Sequence, residues 1–404
     1  MRLQTLLSCA AAALCTGCLP QTNNGNDTSD LISVVAGVTD AHDGTPAATV
    51  AGTTADRDTS VSGRVAGSGD YKLISLGAAE AGEEWAIFDD SGVAGRNSFL
   101  LVLLDQNFDL LQRQIVSAST PLTHIIRGDS DTLYLGVAAA YGGSGGDYRL
   151  RVRRQAGVDV PVPRRQVVWL NFAGGRDVSV HARTGLSFGV FDAADLGEPY
   201  AGATETVKAA IVAAMREDYA GYNVTVLSSD DGPPPTNGAY ATLHFGGYDT
   251  RLLGLADNVD QYNADRWQNA IIYVSSFADF SVMGLDAEEM GQMIGNVASH
   301  EFGHLLGLFH TRLPEDIMDT TGTAWDLAGD QSFLRGPLEQ SVFPVGYENS
   351  PQRLAETVGA KPGAKKGDLS KNWNDPRMRR KLALRALVRD ELRSRCGTCL
   401  HLDP

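Results

Sequence analysis

His300-Glu301-Phe302-Gly303-His304-Leu305-Leu306-Gly307-Leu308-Phe309-His310 decides how the rest of the chain reads. His300 and His304 are four residues apart, so on a helix they project from one face and can grip one metal ion. Glu301 is one step around that helix, beside the metal, where it can take a proton from a water held there. Gly307 lets the helix end and the chain turn back, and the turn brings His310 to a third ligand position. Three neutral imidazoles around zinc leave a fourth position open, which is the arrangement of a catalytic site and not of a closed structural one. The pattern therefore predicts a helix through 300–306, a sharp stop, and hydrolytic chemistry.

A second signal follows in Pro314-Glu315-Asp316-Ile317-Met318-Asp319. With it, the stretch 300–318 resembles the metzincin metallopeptidases, and among them the matrixins. The resemblance implies that Met318 makes a tight turn beneath the metal, as packing and not as a ligand. It also implies a zinc endopeptidase acting on protein or peptide, with Glu301 as general base and an extended substrate along an edge strand. Some positions depart from the family. Thr320 stands where some metzincins have a ligand tyrosine. Asp319 stands where matrixins favour an aromatic residue or proline. No Pro-Arg-Cys-Gly segment lies upstream, which speaks against a cysteine-switch zymogen.

The active-site helix is expected to begin at Asp286, with Glu289 three residues on as a capping-box pair. Met290, Met293, Ile294 and Val297 form its buried stripe. Upstream, 166–172 reads as a first strand. Residues 204–219 read as an amphipathic helix with Val207, Ile211, Ala214 and Met215 on one side. Strands follow at 224–226, 241–245 and 270–274, and a closing helix at 350–357. Strand-helix-strand-strand-strand-helix suits an α+β catalytic domain over 163–359, with a twisted mixed sheet and the active-site helix. His244 and His181 read as structural residues. Asp257, Asp260, Asn263 and Asp265 offer oxygen ligands for calcium, or a polar turn.

Before the linker Pro161-Val162-Pro163, residues 55–157 read as all-β, with short alternating runs at 71–76, 100–104, 133–137 and 148–152. Their spacing suggests a β-sandwich. The order Gly69-Asp70-Tyr71, Leu100 to Asp105, Tyr134-Leu135-Gly136-Val137, Gly146-Asp147-Tyr148 resembles the pre-peptidase C-terminal-type domain. That resemblance implies an accessory role in secretion, folding or substrate capture; a spacer is the alternative.

The start reads as a targeting segment over 1–18: Arg2, an apolar run, then Cys15-Thr16-Gly17-Cys18. It resembles a bacterial lipoprotein signal with Cys18 as the lipidation site and 19–54 as a tether. Cleavage with full secretion is the alternative; either way export is expected. The overall charge is −15, which argues against a nucleic-acid partner. Only the segment 360–404 runs basic, as a linker followed by an amphipathic helix that either packs on its own domain or touches an anionic membrane. Cys396 and Cys399 form a C-x-x-C, read first as a local disulfide. The oligomeric state is not legible. A surface-exposed binding or adhesion lipoprotein with a vestigial zinc site is the rival reading, and an enzyme confined to one partner is a third.

Overall fold

Apolar side chains at every second position leave one face of a strand to bury. In the computed structural model, described for residues 57–361 except 68, 91–98, 118, 141, 142 and 144, this alternation becomes eight strands. They are β1 (Arg57–Val65), β2 (Tyr71–Ala79), β3 (Glu84–Asp89), β4 (Phe99–Leu104), β5 (Leu110–Val116), β6 (Leu122–Ile125), β7 (Ser130–Ala139) and β8 (Gly146–Gln155). Two antiparallel sheets form, in the orders β1-β8-β3-β6 and β2-β7-β4-β5. Val61, Trp85, Ile87 and Leu150 of the first meet Ile74, Leu101, Leu103 and Leu135 of the second in one core. The result is a sandwich.

Strand β4 is unusual within it, because all six of its residues are buried. Phe99, Leu101 and Leu103 face the sandwich core. Leu100, Val102 and Leu104 face outward, into a second cluster with Phe309, Leu338, Val342 and Phe343. The sandwich and the C-terminal part of the chain thus share a core. A continuous apolar run is the signature of a strand covered on both sides.

Beyond the Pro161–Pro163 segment comes β9 (Gln166–Asn171), followed by β10 (Gly175–Val180) and β11 (Arg183–Phe188). Then follow α1 (Thr204–Asp218), β12 (Val224–Ser228), β13 (Ala241–Phe245), β14 (Gly254–Ala256) and β15 (Asn269–Ile272). The C-terminal elements are α2 (Ala287–Leu305), α3 (Ala324–Leu327), β16 (Arg335–Pro337), β17 (Tyr347–Asn349) and α4 (Ser350–Thr357). The central sheet runs β12-β9-β13-β15-β14. Its first four strands are parallel, and β14 lies antiparallel at the edge. Helices α1 and α2 pack on one face, where Val207, Ile211 and Met215 meet Met290, Met293 and Ile294.

The β10–β11 hairpin departs from the expected order, which ran from the first strand straight to a helix. Its sequence is Gly-, Arg- and Asp-rich, and its register shifts twice, so period-two alternation is weak. Val178, Val180, Leu186 and Phe188 nonetheless pack on Leu255, Ile271 and Tyr273, covering the face of the sheet opposite the helices. The strand expected at 270–274 also ends sooner, since a 3-10 helix begins at Val274. No helix among the described residues is long and apolar enough to cross a membrane. The expectations for 1–54, Cys18, Cys396, Cys399 and the basic tail lie outside the described residues.

Candidate metal centre

The site is built by a helix with two well-defined ends. Asp286 accepts a hydrogen bond from Glu289 N at 2.8 Å, and the Glu289 carboxylate accepts one from Asp286 N at 3.1 Å. This capping box satisfies two donors that a helix start leaves free. Met290, Met293, Ile294 and Val297 are all buried along the stripe that follows. At the other end Gly307 N donates to His304 O at 2.9 Å, and Leu308 N to Gly303 O at 2.9 Å. That pair of bonds is a Schellman stop, with Gly307 at the left-handed position, φ +92°.

The turn folds His310 back onto the helix. Ligand nitrogens of His300, His304 and His310 all lie within 4.8 Å of one another, and His304 Nε2 is 3.0 Å from His310 Nε2. The helical pair is oriented from behind by main-chain carbonyls. His300 Nδ1 is 2.7 Å from Ile317 O, and His304 Nδ1 is 2.9 Å from Leu308 O. A carbonyl can only accept, so each Nδ1 carries the proton and each Nε2 keeps its lone pair. Burial lowers His300 to about 4 and His304 to about 3, and takes His310 well below its ordinary value. All three rings are therefore neutral near pH 7. Tetrahedral zinc with Zn–N of about 2.0–2.1 Å places its nitrogens about 3.3 Å apart. The donor set and spacing fit such an ion.

Glu301 is buried beside the triad and faces the edge strand. A Cβ at Gly254 would stand 2.5 Å from Glu301 Oε1, so that position must be bare. The Ala256 backbone N–H favours the carboxylate, but burial outweighs it and pushes the group up to about 8. A cation held by the histidines would pull it down again. Met318 is fully buried under the helix, its Sδ 2.7 Å from where a Gly303 Cβ would be. Thr311 N donates to Met318 O at 2.9 Å, tying this turn to the residue after His310.

Sequence reasoning passed over Asp316. It is buried beneath the turn, accepting from Thr311 Oγ1 at 2.8 Å and Leu334 N at 3.1 Å. Burial raises it to about 7. A lone Asp two residues before a Met carries no pattern that would have flagged it. Asp319 also turns inward, accepting from Thr321 N at 2.9 Å and Thr321 Oγ1 at 2.7 Å. With His300, Val297, Ile317 and Leu327 it lines a small cleft.

The remaining candidates lie elsewhere. His244 pairs with Asn171 at 3.1 Å, and His181 Nδ1 lies 2.8 Å from Asp257 O. The acidic oxygens of the 257–265 loop are engaged by backbone N–H groups. Asp257 accepts from His181 N at 2.7 Å and Asn269 N at 2.6 Å. Asp260 accepts from Asp265 N at 2.8 Å, and Asp265 from Trp267 N at 2.9 Å. Among the described residues, the histidine triad is the group of three metal-ligating side chains that converges.

The family model for matrixin, a peptidase family, matches residues 234–327, a stretch that contains the triad, Glu301 and Met318. No curated protein matches the chain. Among solved structures, metalloproteinase-II from Bacteroides fragilis is similar at 13% identity, over 64% of this chain and 88% of that one, with a TM-score of 0.23. The pre-peptidase C-terminal domain of Bacillus anthracis collagenase is similar at 16% identity, over 24% and 88%, with a TM-score of 0.19. Aeromonas hydrophila PliG, a periplasmic inhibitor of g-type lysozyme, is similar at 13% identity, over 27% and 96%, with a TM-score of 0.23. At these TM-scores none of the three carries weight for fold or activity.

Proposed function

We propose that this chain is an exported zinc endopeptidase of matrixin type, centred on His300, His304 and His310. The observation that carries the reading is the convergence of two buried imidazoles and a half-buried one, all neutral, beside a buried carboxylate. It lies within the stretch that the matrixin model matches. The three Nε2 atoms are the groups that would hold the metal. Zinc there would supply a Lewis acid, polarising the scissile carbonyl and acidifying a water.

The remaining steps belong to the chain itself. The Ile317 and Leu308 carbonyls hold two imidazoles in their ligating tautomer and orientation. Glu301 takes a proton from the attacking water as the new C–O bond forms. It then delivers that proton to the amine nitrogen as the C–N bond breaks. An acid and an amine leave. Strand β14 ends its sheet, so an extended peptide can add along its outer side through main-chain hydrogen bonds. Glu301 borders that strand at Gly254, which sets the carboxylate next to a peptide bound there.

The deciding experiment is hydrolysis of an unfolded protein substrate by the zinc-loaded protein and by Glu301→Ala. A loss of about 100-fold or more is expected in the variant. Equal turnover would overturn the mechanism. Zinc binding without hydrolysis by either protein would favour the binding-lipoprotein reading. Residues 1–18 support export. Fatty-acid labelling that the parent shows and Cys18→Ala loses would mark a lipoprotein; labelling of neither would mark free secretion.

A further inference from the structure

Edge strand β5 of the sandwich is bonded to the loop that abuts the helix stop before His310. Arg113 N donates to Gln261 Oε1 at 2.7 Å, and Gln261 Nε2 donates back to Arg113 O at 2.8 Å. The carboxamide thus pairs with both main-chain groups of one residue, as a neighbouring strand would. Tyr262 adds a bond from its hydroxyl to Leu111 O at 3.1 Å. Strand β5 is the outer strand of its sheet, so these bonds satisfy an edge that strand pairing leaves open.

The other side of the same segment meets the helix stop. Asp260 N donates to His304 O at 2.9 Å. A Cβ on Gly307 would stand 2.8 Å from both Gln261 Cα and Tyr262 N. Tyr262 sits at φ +64°, a left-handed conformation that a bulky side chain holds only when its surroundings impose it; Asn263, at +50°, is a residue type that enters this region readily. Phe309, next to His310, packs among Leu100, Val102 and Leu110 of the sandwich. One continuous contact path therefore runs from β5 through 260–262 to the turn between His304 and His310.

We infer that Gln261 is a positioning residue for the metal centre, and that the sandwich, through β5, forms part of the frame that sets the third ligand. The inference rests on reading the three histidines as the zinc site. It assigns the sandwich a role that neither secretion nor spacing requires.

The test uses the full chain, with zinc affinity read by competition against a chromogenic chelator and ligand geometry read from the visible spectrum of the cobalt-loaded protein. Gln261→Ala removes both bonds to Arg113. Gln261→Glu keeps the acceptor and loses the donor. Arg335→Ala is the control, because it breaks an ion pair with Asp109 (2.6 Å) across the same boundary away from 260–262. Gln261→Ala should weaken zinc binding by severalfold, since it acts on the ligands only through the 260–262 backbone, and alter the cobalt bands. Gln261→Glu should fall between it and the parent. Arg335→Ala should melt earlier with affinity and spectrum unchanged. Parental affinity and spectrum in Gln261→Ala would overturn the inference, as would an equal loss in Arg335→Ala. If Gln261→Ala does not fold, Gln261→Glu decides by the same outcomes. A parent that takes up neither metal overturns the site reading and this inference together. Metal uptake without hydrolysis overturns only the peptidase reading.

Discussion

Gly307 joins two demands at one residue. Its φ of +92° is where the helix stops, and its bare Cα is where the 260–262 backbone passes. A side chain would meet both a conformational cost of about 1–2 kcal/mol and direct overlap with main-chain atoms, which cannot rotate away. Gly307→Ala should therefore lower the melting temperature and weaken zinc binding together. Glu301→Gln changes one atom type at nearly constant shape. It should keep zinc and melting temperature while hydrolysis falls by about 100-fold or more. Calorimetry and chelator competition on the two variants, side by side, separate building the site from using it. Zinc affinity intact in Gly307→Ala would refute the structural half of this argument.

At the scale of elements, helix α2 depends on its first turn. Asp286→Ala removes the side-chain acceptor of the capping box and should cost about 1 kcal/mol, measurable as a shift in urea midpoint. An unchanged midpoint would mean that packing alone holds the helix start. This helix was also the most legible element. Its cap, its apolar stripe and its glycine stop are all local patterns, and local patterns survive into sequence. The same holds for 241–245 and 350–357, found where expected. The β10–β11 hairpin was not legible, because its apolar residues earn burial only against Leu255 and Ile271, far along the chain. The run 100–104 reads as a strand, and the strand extends one residue further, to Phe99. What covers its second face lies more than two hundred residues on, and no window of sequence contains both. At the site, the three histidines and Glu301 follow from spacing, whereas Asp316 and Gln261 follow only from tertiary contact.

Across the whole molecule, the boundary between the sandwich and the C-terminal part is sealed by buried polar groups as well as by apolar ones. Arg353 lies buried against Glu348 at 2.7 Å and donates to the Leu110 and Leu111 carbonyls of β5. His124 of β6 is buried beside Arg127 and the ring of Tyr262. Its burial, with help from Arg127 and Arg353, lowers its pKa from 6.5 to about 3. The unfolded chain thus binds this proton between those two values and the folded one does not. Stability from this group is complete above pH 6.5 and falls as pH drops toward 3, by up to about 1.4 kcal/mol per unit. Asp316, raised to about 7, works in the opposite direction, so the useful quantity is a difference between proteins. His124→Phe should lose less stability than the parent between pH 7 and pH 5. Identical pH slopes in urea titrations of the two would remove His124 from the account.

The double burial of β4 also bears on the order of synthesis. Its outward leucines leave the ribosome early, and the surface that covers them is translated near the end of the described chain. Leu110 and Arg353, which close the same seam, are 243 residues apart. Until that late segment arrives, Leu100, Val102 and Phe309 lack the cover that Leu338, Val342 and Phe343 provide. In this order the surroundings of the histidine triad are among the last described parts to close, after the chain beyond residue 338 has been made.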